Sequence, residues 1–142
     1  MRAVEVAGTE PEIVYRAPGG RVWVTDSIAF AGPRQRGDIL VTGSHGGTSA
    51  GEYAASFAVA MVVCNDAGIG KNRAGIAGLA AVAGQDIAGI AVSHDSARIG
   101  DGTDVWENGV VSYANDIARR DGVRVGAPLR EQILVLLERR RT

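Results

Sequence analysis

The 142-residue chain has two histidines, and each directly follows a serine: Ser44-His45 and Ser93-His94. Both stand where a short apolar run gives way to a polar, glycine-rich stretch. The three stretches of this kind read VTGSHGG (41–47), CNDAGIGKN (64–72) and SHDSARIGDG (93–102). Turns need Gly, Asn and Asp for backbone reasons; they do not need imidazoles. An imidazole titrates near neutrality and passes protons in either direction, so His45 and His94 lead the candidates for acid–base chemistry. Asp66 and Asp95 are the carboxylates placed to orient or assist one of them, and Ser44 is the candidate nucleophile. Gly46 and Gly47, with the amides of the helix expected to follow, would stabilise an oxyanion. Asn65, Ser93, Ser96 and Arg98 complete a substrate-binding set, with Arg98 suited to clamp a carboxylate or phosphate. Asp26-Ser27 is a further polar pair, and joins the cluster if the strand before it runs parallel to the others.

Plainer roles compete with each of these. His45 could be a turn residue, Asp66 an Asx-turn acceptor between strand and helix, and Ser44 and Ser93 backbone bridges. Arg98 could pair structurally with Asp95 or Asp101. Cys64 reads as a small buried hydrophobe. Asp104 and Glu107 fall in the first turn of an expected helix, where acids are favoured in any case.

Known motifs fit only partly. Thr42-Gly43-Ser44-His45-Gly46 has the G-x-S-x-G outline of a nucleophile elbow with Thr in place of the first Gly; Ser44, Asp66 and His94 then fall in the matching triad order. Gly68-Ile69-Gly70-Lys71-Asn72 lacks the first Gly and the hydroxyl of a Walker A loop, which argues against an NTPase. The dinucleotide fingerprint is missing from the first strand–helix turn. His45, Asp66 and His94, with Asp95, have the donor types for a divalent metal such as Zn, Mn or Fe. No local spacing demands one, and no cofactor is expected.

The elements that must bring these residues together are legible as periodicities. Ile39–Val41, Met61–Val63 and Ile87–Val92 are apolar runs of the kind buried on both faces of a parallel sheet. Between them, 49–60 reads as a helix opened by a Ser49/Glu52 capping box, and 72–83 as one capped by Asn72 and closed by Gly84. This is the βαβ pattern, and parallel strands bring their carboxyl-end loops to one edge. Upstream, 12–16 and 21–30 flank Pro18-Gly19-Gly20 and predict a hairpin. Downstream, helices are expected over 104–120 and 128–140, the last with a Leu129/Ile133/Leu136/Leu137 stripe.

The fold expected is therefore α/β: a single domain over 1–142 with a mainly parallel, Rossmann- or flavodoxin-like sheet flanked by helices. It comprises an N-terminal β-hairpin (12–30), a βαβαβ core (38–93) and the two C-terminal helices. With 15 basic and 16 acidic residues the net charge is −1, which gives nucleic acid no basic face. Arg139–Arg141 reads as a solvated helix end that complements the dipole. One cysteine excludes an intrachain disulfide and suits a reduced, cytoplasmic setting. The first twelve residues lack the apolar run of a signal peptide, and no run reaches membrane-spanning length. The small residues of 75–84 suggest homo-oligomer formation. The function expected is a small-molecule enzyme, a hydrolase or a lyase/isomerase, acting on a small anionic metabolite. The alternatives are a ligand-binding or regulatory module, or one subunit of a larger enzyme.

Overall fold

Alternation of side chains along four short apolar strands fixes the two faces of the sheet in the computed structural model, which describes residues 10–140. Arg141 and residues 1–9 lie outside that range. Pro18 and Gly19 turn the chain between β1 (Glu12–Ala17) and β2 (Gly20–Thr25), which pair antiparallel as a hairpin. Three further strands, β3 (Ile39–His45), β4 (Met61–Asn65) and β5 (Ala88–Val92), continue from β2 in parallel. A sixth strand, β6 (Val111–Ala114), closes the far edge antiparallel to β5.

The order across the sheet is the order along the chain, β1-β2-β3-β4-β5-β6. The sheet is thus mixed, not mainly parallel, and its order is neither the Rossmann nor the flavodoxin one. Both of those reverse direction once and open a crevice at the reversal. Here the parallel strands advance one way only. Right-handed crossovers advancing in one direction land on one face. Accordingly α1 (Thr48–Phe57), α2 (Ala77–Ala81) and the short turn at Ile28–Phe30 cover one side of the sheet, over Trp23, Leu40, Val62, Cys64 and Ala91. The opposite face, Val22, Ile39, Val41, Met61, Val63 and Ile90, is covered by the C-terminal helices α3 (Gly102–Asn108), α4 (Asp116–Arg120) and α5 (Leu129–Arg140). Each fully buried aliphatic side chain contributes about 1.5–3 kcal/mol relative to exposure.

Three expected helices differ from the observed ones. The 104–120 segment is α3, then β6, then α4. Gly109 ends α3, and Asn115 starts α4 by accepting the Ala118 N–H (3.0 Å). Between them Val111 and Ala114 are buried while Ser112 and Tyr113 are partly exposed, so the segment pairs with β5 instead of remaining helical. The 72–83 helix shrinks to α2 because Ala67, Ile69, Asn72 and Arg73 all hold left-handed backbone, φ 51° to 65°. Asn72 therefore caps nothing, and the left-handed stop is Asp86, not Gly84. Finally, α1 starts one residue early on Gly47, with no side-chain cap. Ser49 lies inside its first turn, so the expected capping box does not form.

Gly78 of α2 is packed within the chain, while Ala80 and Ala81 are exposed. A Cβ on Gly51 would stand 2.6 Å from the Gly78 carbonyl oxygen, and one on Gly78 would collide with the Gly47 carbonyl. Glycine at both positions lets α1 and α2 cross backbone to backbone. Gly78 is buried there. No helix among the described residues is long and apolar enough to cross a membrane.

Candidate functional site

Parallel β2–β5 deliver four polar segments to one edge, and the chain between β5 and α3 folds back across that edge. Gly100 N–H donates to the Gly43 carbonyl (2.7 Å), Gly43 N–H to the Asp26 carbonyl (3.1 Å), and Gly102 N–H to Asp26 Oδ1 (2.9 Å). Gly43 permits this stacking, since a Cβ there would press against the Asp26 oxygen at 2.8 Å. Because β2 is parallel to β3, Asp26 and Ser27 do reach the same edge as Ser44 and His45. Together they line a cleft of about 510 Å³, walled also by Ser49, Ala50 and Tyr53 of α1 and by Ile99 and Gly100. That volume lies within the usual range for small-molecule sites.

His45 ends β3 with its ring fixed by a local bond: Gly47 N–H donates to Nδ1 (3.0 Å). An acceptor Nδ1 sets the neutral tautomer with its proton on Nε2. Ser44 Oγ accepts the Ile28 N–H (2.9 Å) and makes no hydrogen bond to either imidazole among the described residues. Ser44 is within a strand, and its backbone is not among the left-handed positions. The strained turn of a nucleophile elbow is absent at this position.

Two of the amides expected to hold an oxyanion are occupied. Gly46 N–H donates to the Asn65 carbonyl (3.1 Å) and Gly47 N–H to His45. The next three, Thr48, Ser49 and Ala50, have no partner among the described residues, because α1 lacks a side-chain cap. Ser49 and Ala50 line the cleft. An uncapped helix start of this kind offers N–H groups and a positive dipole end to a negative oxygen.

His94 lies elsewhere. Strand β4 stands between β3 and β5, so the backbones at His45 and His94 are separated by roughly two strand spacings, about 10 Å. The His94 side chain is 54% exposed, with Nδ1 3.5 Å from Asp66 Oδ1 and Nε2 3.3 Å from Asp95 Oδ1. Those are ion-pair separations, longer than good hydrogen bonds. Asp66 is buried, and its Oδ1 accepts the Gly68 N–H (2.7 Å) and the His94 N–H (3.1 Å). It therefore clamps the loops after β4 and β5 to each other, in addition to facing the imidazole. The sequence-order triad is not assembled: Asp66 and His94 meet, while Ser44 bonds to Ile28.

The other expected binding residues hold loops. Asn65 is fully buried; its Nδ2 donates to the Ala97 carbonyl (2.8 Å) and its Oδ1 accepts the Ala67 N–H (2.8 Å). Ser93 Oγ accepts the Ser96 N–H, and Ser96 Oγ donates to the Ser93 carbonyl and accepts the Val110 N–H. Arg98 is exposed and outside the cleft lining; its backbone N–H donates to Asp104 Oδ2 (2.7 Å). Its guanidinium pairs with neither Asp95 nor Asp101 among the described residues. Cys64 is inaccessible, and burial pushes its thiol up to about 12 against a weaker opposing contact from Thr42. Among the described residues no three His, Cys, Asp or Glu side chains converge as a metal site.

Sequence reasoning missed three cleft residues. Ser49 was assigned to capping, Tyr53 sat unremarked on a helix, and Ile99 lay inside a polar loop. The exposure of Tyr53 and Ile99 on folded surfaces is the signal, and it exists only in three dimensions. What the fold and site define is a mixed α/β domain with an acid–imidazole cleft at the carboxyl edge of its parallel strands. Compared with known proteins, the chain matches no family, no curated protein and no solved structure.

Proposed function

We propose that the chain is a small-molecule enzyme that performs acid–base chemistry at a carbonyl group held in the Asp26/His45 cleft. The observation that carries this reading is one arrangement. Asp26 and His45 line the same concavity from adjacent strands, and Gly47 holds the imidazole with Nε2–H as its free donor.

In this reading His45 Nε2–H donates to the substrate carbonyl oxygen, and the first-turn amides of Ser49 and Ala50 share the developing negative charge. Asp26, steadied through Oδ1 by Gly102, accepts the proton released from the adjacent carbon or from an attacking water. Lyase/isomerase proton transfer and water-mediated hydrolysis both fit this pairing. Covalent catalysis by Ser44 fits less well, since no base among the described residues contacts its hydroxyl. The single buried Cys64 suits a reduced compartment such as the cytoplasm.

The test is turnover across a panel of small carbonyl compounds. Asp26→Asn and His45→Gln should each lower kcat at least about a hundredfold with the fold retained, the usual yield of a positioned acid or base. Ser44→Ala should cost less than about tenfold on the same scale. A trapped acyl adduct on Ser44, or full activity in His45→Gln, contradicts the proposal.

A further inference from the structure

The rim of the cleft specifies more about the substrate than its floor does. Seven large apolar side chains remain substantially exposed on the described surface, and two of them, Tyr53 and Ile99, line this one opening from separate segments. Phe30 ends the turn after β2, Tyr53 belongs to α1, and Ile99 belongs to the chain segment before α3; their exposures are 42%, 39% and 50%. Tyr53 and Ile99 line the cleft directly, and Phe30 follows Ala29, which also lines it. Water-exposed apolar groups gathered around a concavity, with a few polar groups at its base, are the usual form of a ligand site.

The charges narrow the choice further. Among the described residues Asp26 is the only acid lining the cleft, and no Lys or Arg lines it. Asp26 already accepts a backbone N–H through Oδ1. An anionic ligand would meet that carboxylate with only the α1 amides, and no cationic side chain among the described residues, to offset it. Arg98, the expected clamp, is outside the lining, so the anionic metabolite expected from the sequence has no partner side chain here.

Resting on the acid–base reading above, we propose that the substrate is an uncharged small molecule: one carbonyl oxygen as its head, directed at His45, and an aromatic or branched aliphatic body lying between Tyr53 and Ile99. The head uses the donors at the base of the cleft. The body removes the Tyr53 and Ile99 faces from water, and that burial supplies most of the affinity.

Four simple probes test this on the intact chain by amide chemical-shift titration: benzamide, acetamide, benzoate and benzamidine. Benzamide should shift the Gly47, Ala50 and Tyr53 resonances. Acetamide, which lacks the body, should bind at least about tenfold more weakly, as expected for losing one phenyl's worth of buried surface. Benzoate and benzamidine, which carry a charge on the same body, should both bind more weakly than benzamide. Tyr53→Ala and Ile99→Ser should each weaken benzamide several-fold and leave acetamide unchanged. Acetamide equal to benzamide, or either charged probe tighter than benzamide, overturns the substrate class and leaves the cleft standing. No cleft resonance moving with any of the four probes overturns the cleft reading itself.

Discussion

The two imidazoles of this chain look alike in sequence and are both exposed in the fold, yet they differ in their partners and in the surface they belong to. His45 has one nitrogen committed to a backbone amide and the other available in a cavity beside Asp26. His94 has a carboxylate beside each nitrogen and sits on open surface. On the proposed function, a pairing partner is therefore no guide to which imidazole does chemistry. His94 has the better-looking dyad, with a buried Asp66 behind it, yet that aspartate's shortest bonds go to backbone. Among the described residues His45 has no carboxylate hydrogen bond, yet it has a concavity, a fixed tautomer and a set of unengaged amides. Concavity and available donors, more than ion-pair geometry, separate a site from a loop clamp.

The comparison can be broken most severely at the crossing of α1 and α2. Gly78→Ala would push a methyl group into the Gly47 carbonyl. Gly47 also fixes His45, so the cleft would be disturbed while the His94 cluster is left alone. Overpacking against rigid backbone should cost about 3 kcal/mol or more in chemical denaturation, with His45 resonances shifted and His94 resonances unmoved. Equal shifts at both rings would mean the two clusters are one mechanical unit.

The complementary change is Asp66→Ala. It removes the acceptor for two backbone N–H groups in a buried setting, and should cost about 2–3 kcal/mol in the same measurement. Benzamide binding in the cleft should be unaffected. Loss of cleft binding in a variant that still folds would show that the β4/β5 cluster reaches the cleft, and the division drawn here would fail.

The smallest effect is expected in acid. Asp104 is held below its ordinary 3.8, first by the Asn108 side-chain amide and then by the Arg98 N–H. A carboxylate depressed in the folded chain contributes fully above its unfolded value, and its contribution fades as pH falls through the lower folded value. The Arg98–Asp104 bond closes the segment that carries Ile99. The Arg98 and Ile99 amides should therefore shift only as pH falls below the ordinary carboxylate value, and Asp104→Asn should flatten that titration.

What the sequence revealed and what it concealed have physical reasons. The three apolar runs at 39, 61 and 87, the hairpin turn at Pro18-Gly19 and the leucine stripe of α5 were legible because burial on both faces, a fixed proline φ and a 3.6-residue repeat each leave a local mark. β6 was not, since Val110, Val111, Ala114, Ile117 and Ala118 satisfy a helical spacing as well as they do the observed strand and short helix. Strand order was hidden too, because nothing in one loop records which face its crossover covers. In the cleft, His45 and Ser44 stand out in the sequence by type and position. Asp26 stayed conditional until β2 proved parallel to β3. Ser49 was misassigned because S-x-x-E is a capping pattern, and here the helix begins one residue before it. Tyr53 and Ile99 have no chemical signature; only their shared opening singles them out.

The central claim is that ligands enter the His45 cleft and not the His94 cluster. With two histidines in the chain, one long-range proton–nitrogen spectrum reports both rings at once as a filtered low-molecular-weight cell extract is added. The account predicts that the His45 nitrogens shift and those of His94 remain in place. Movement of the His94 nitrogens with His45 unchanged would contradict it.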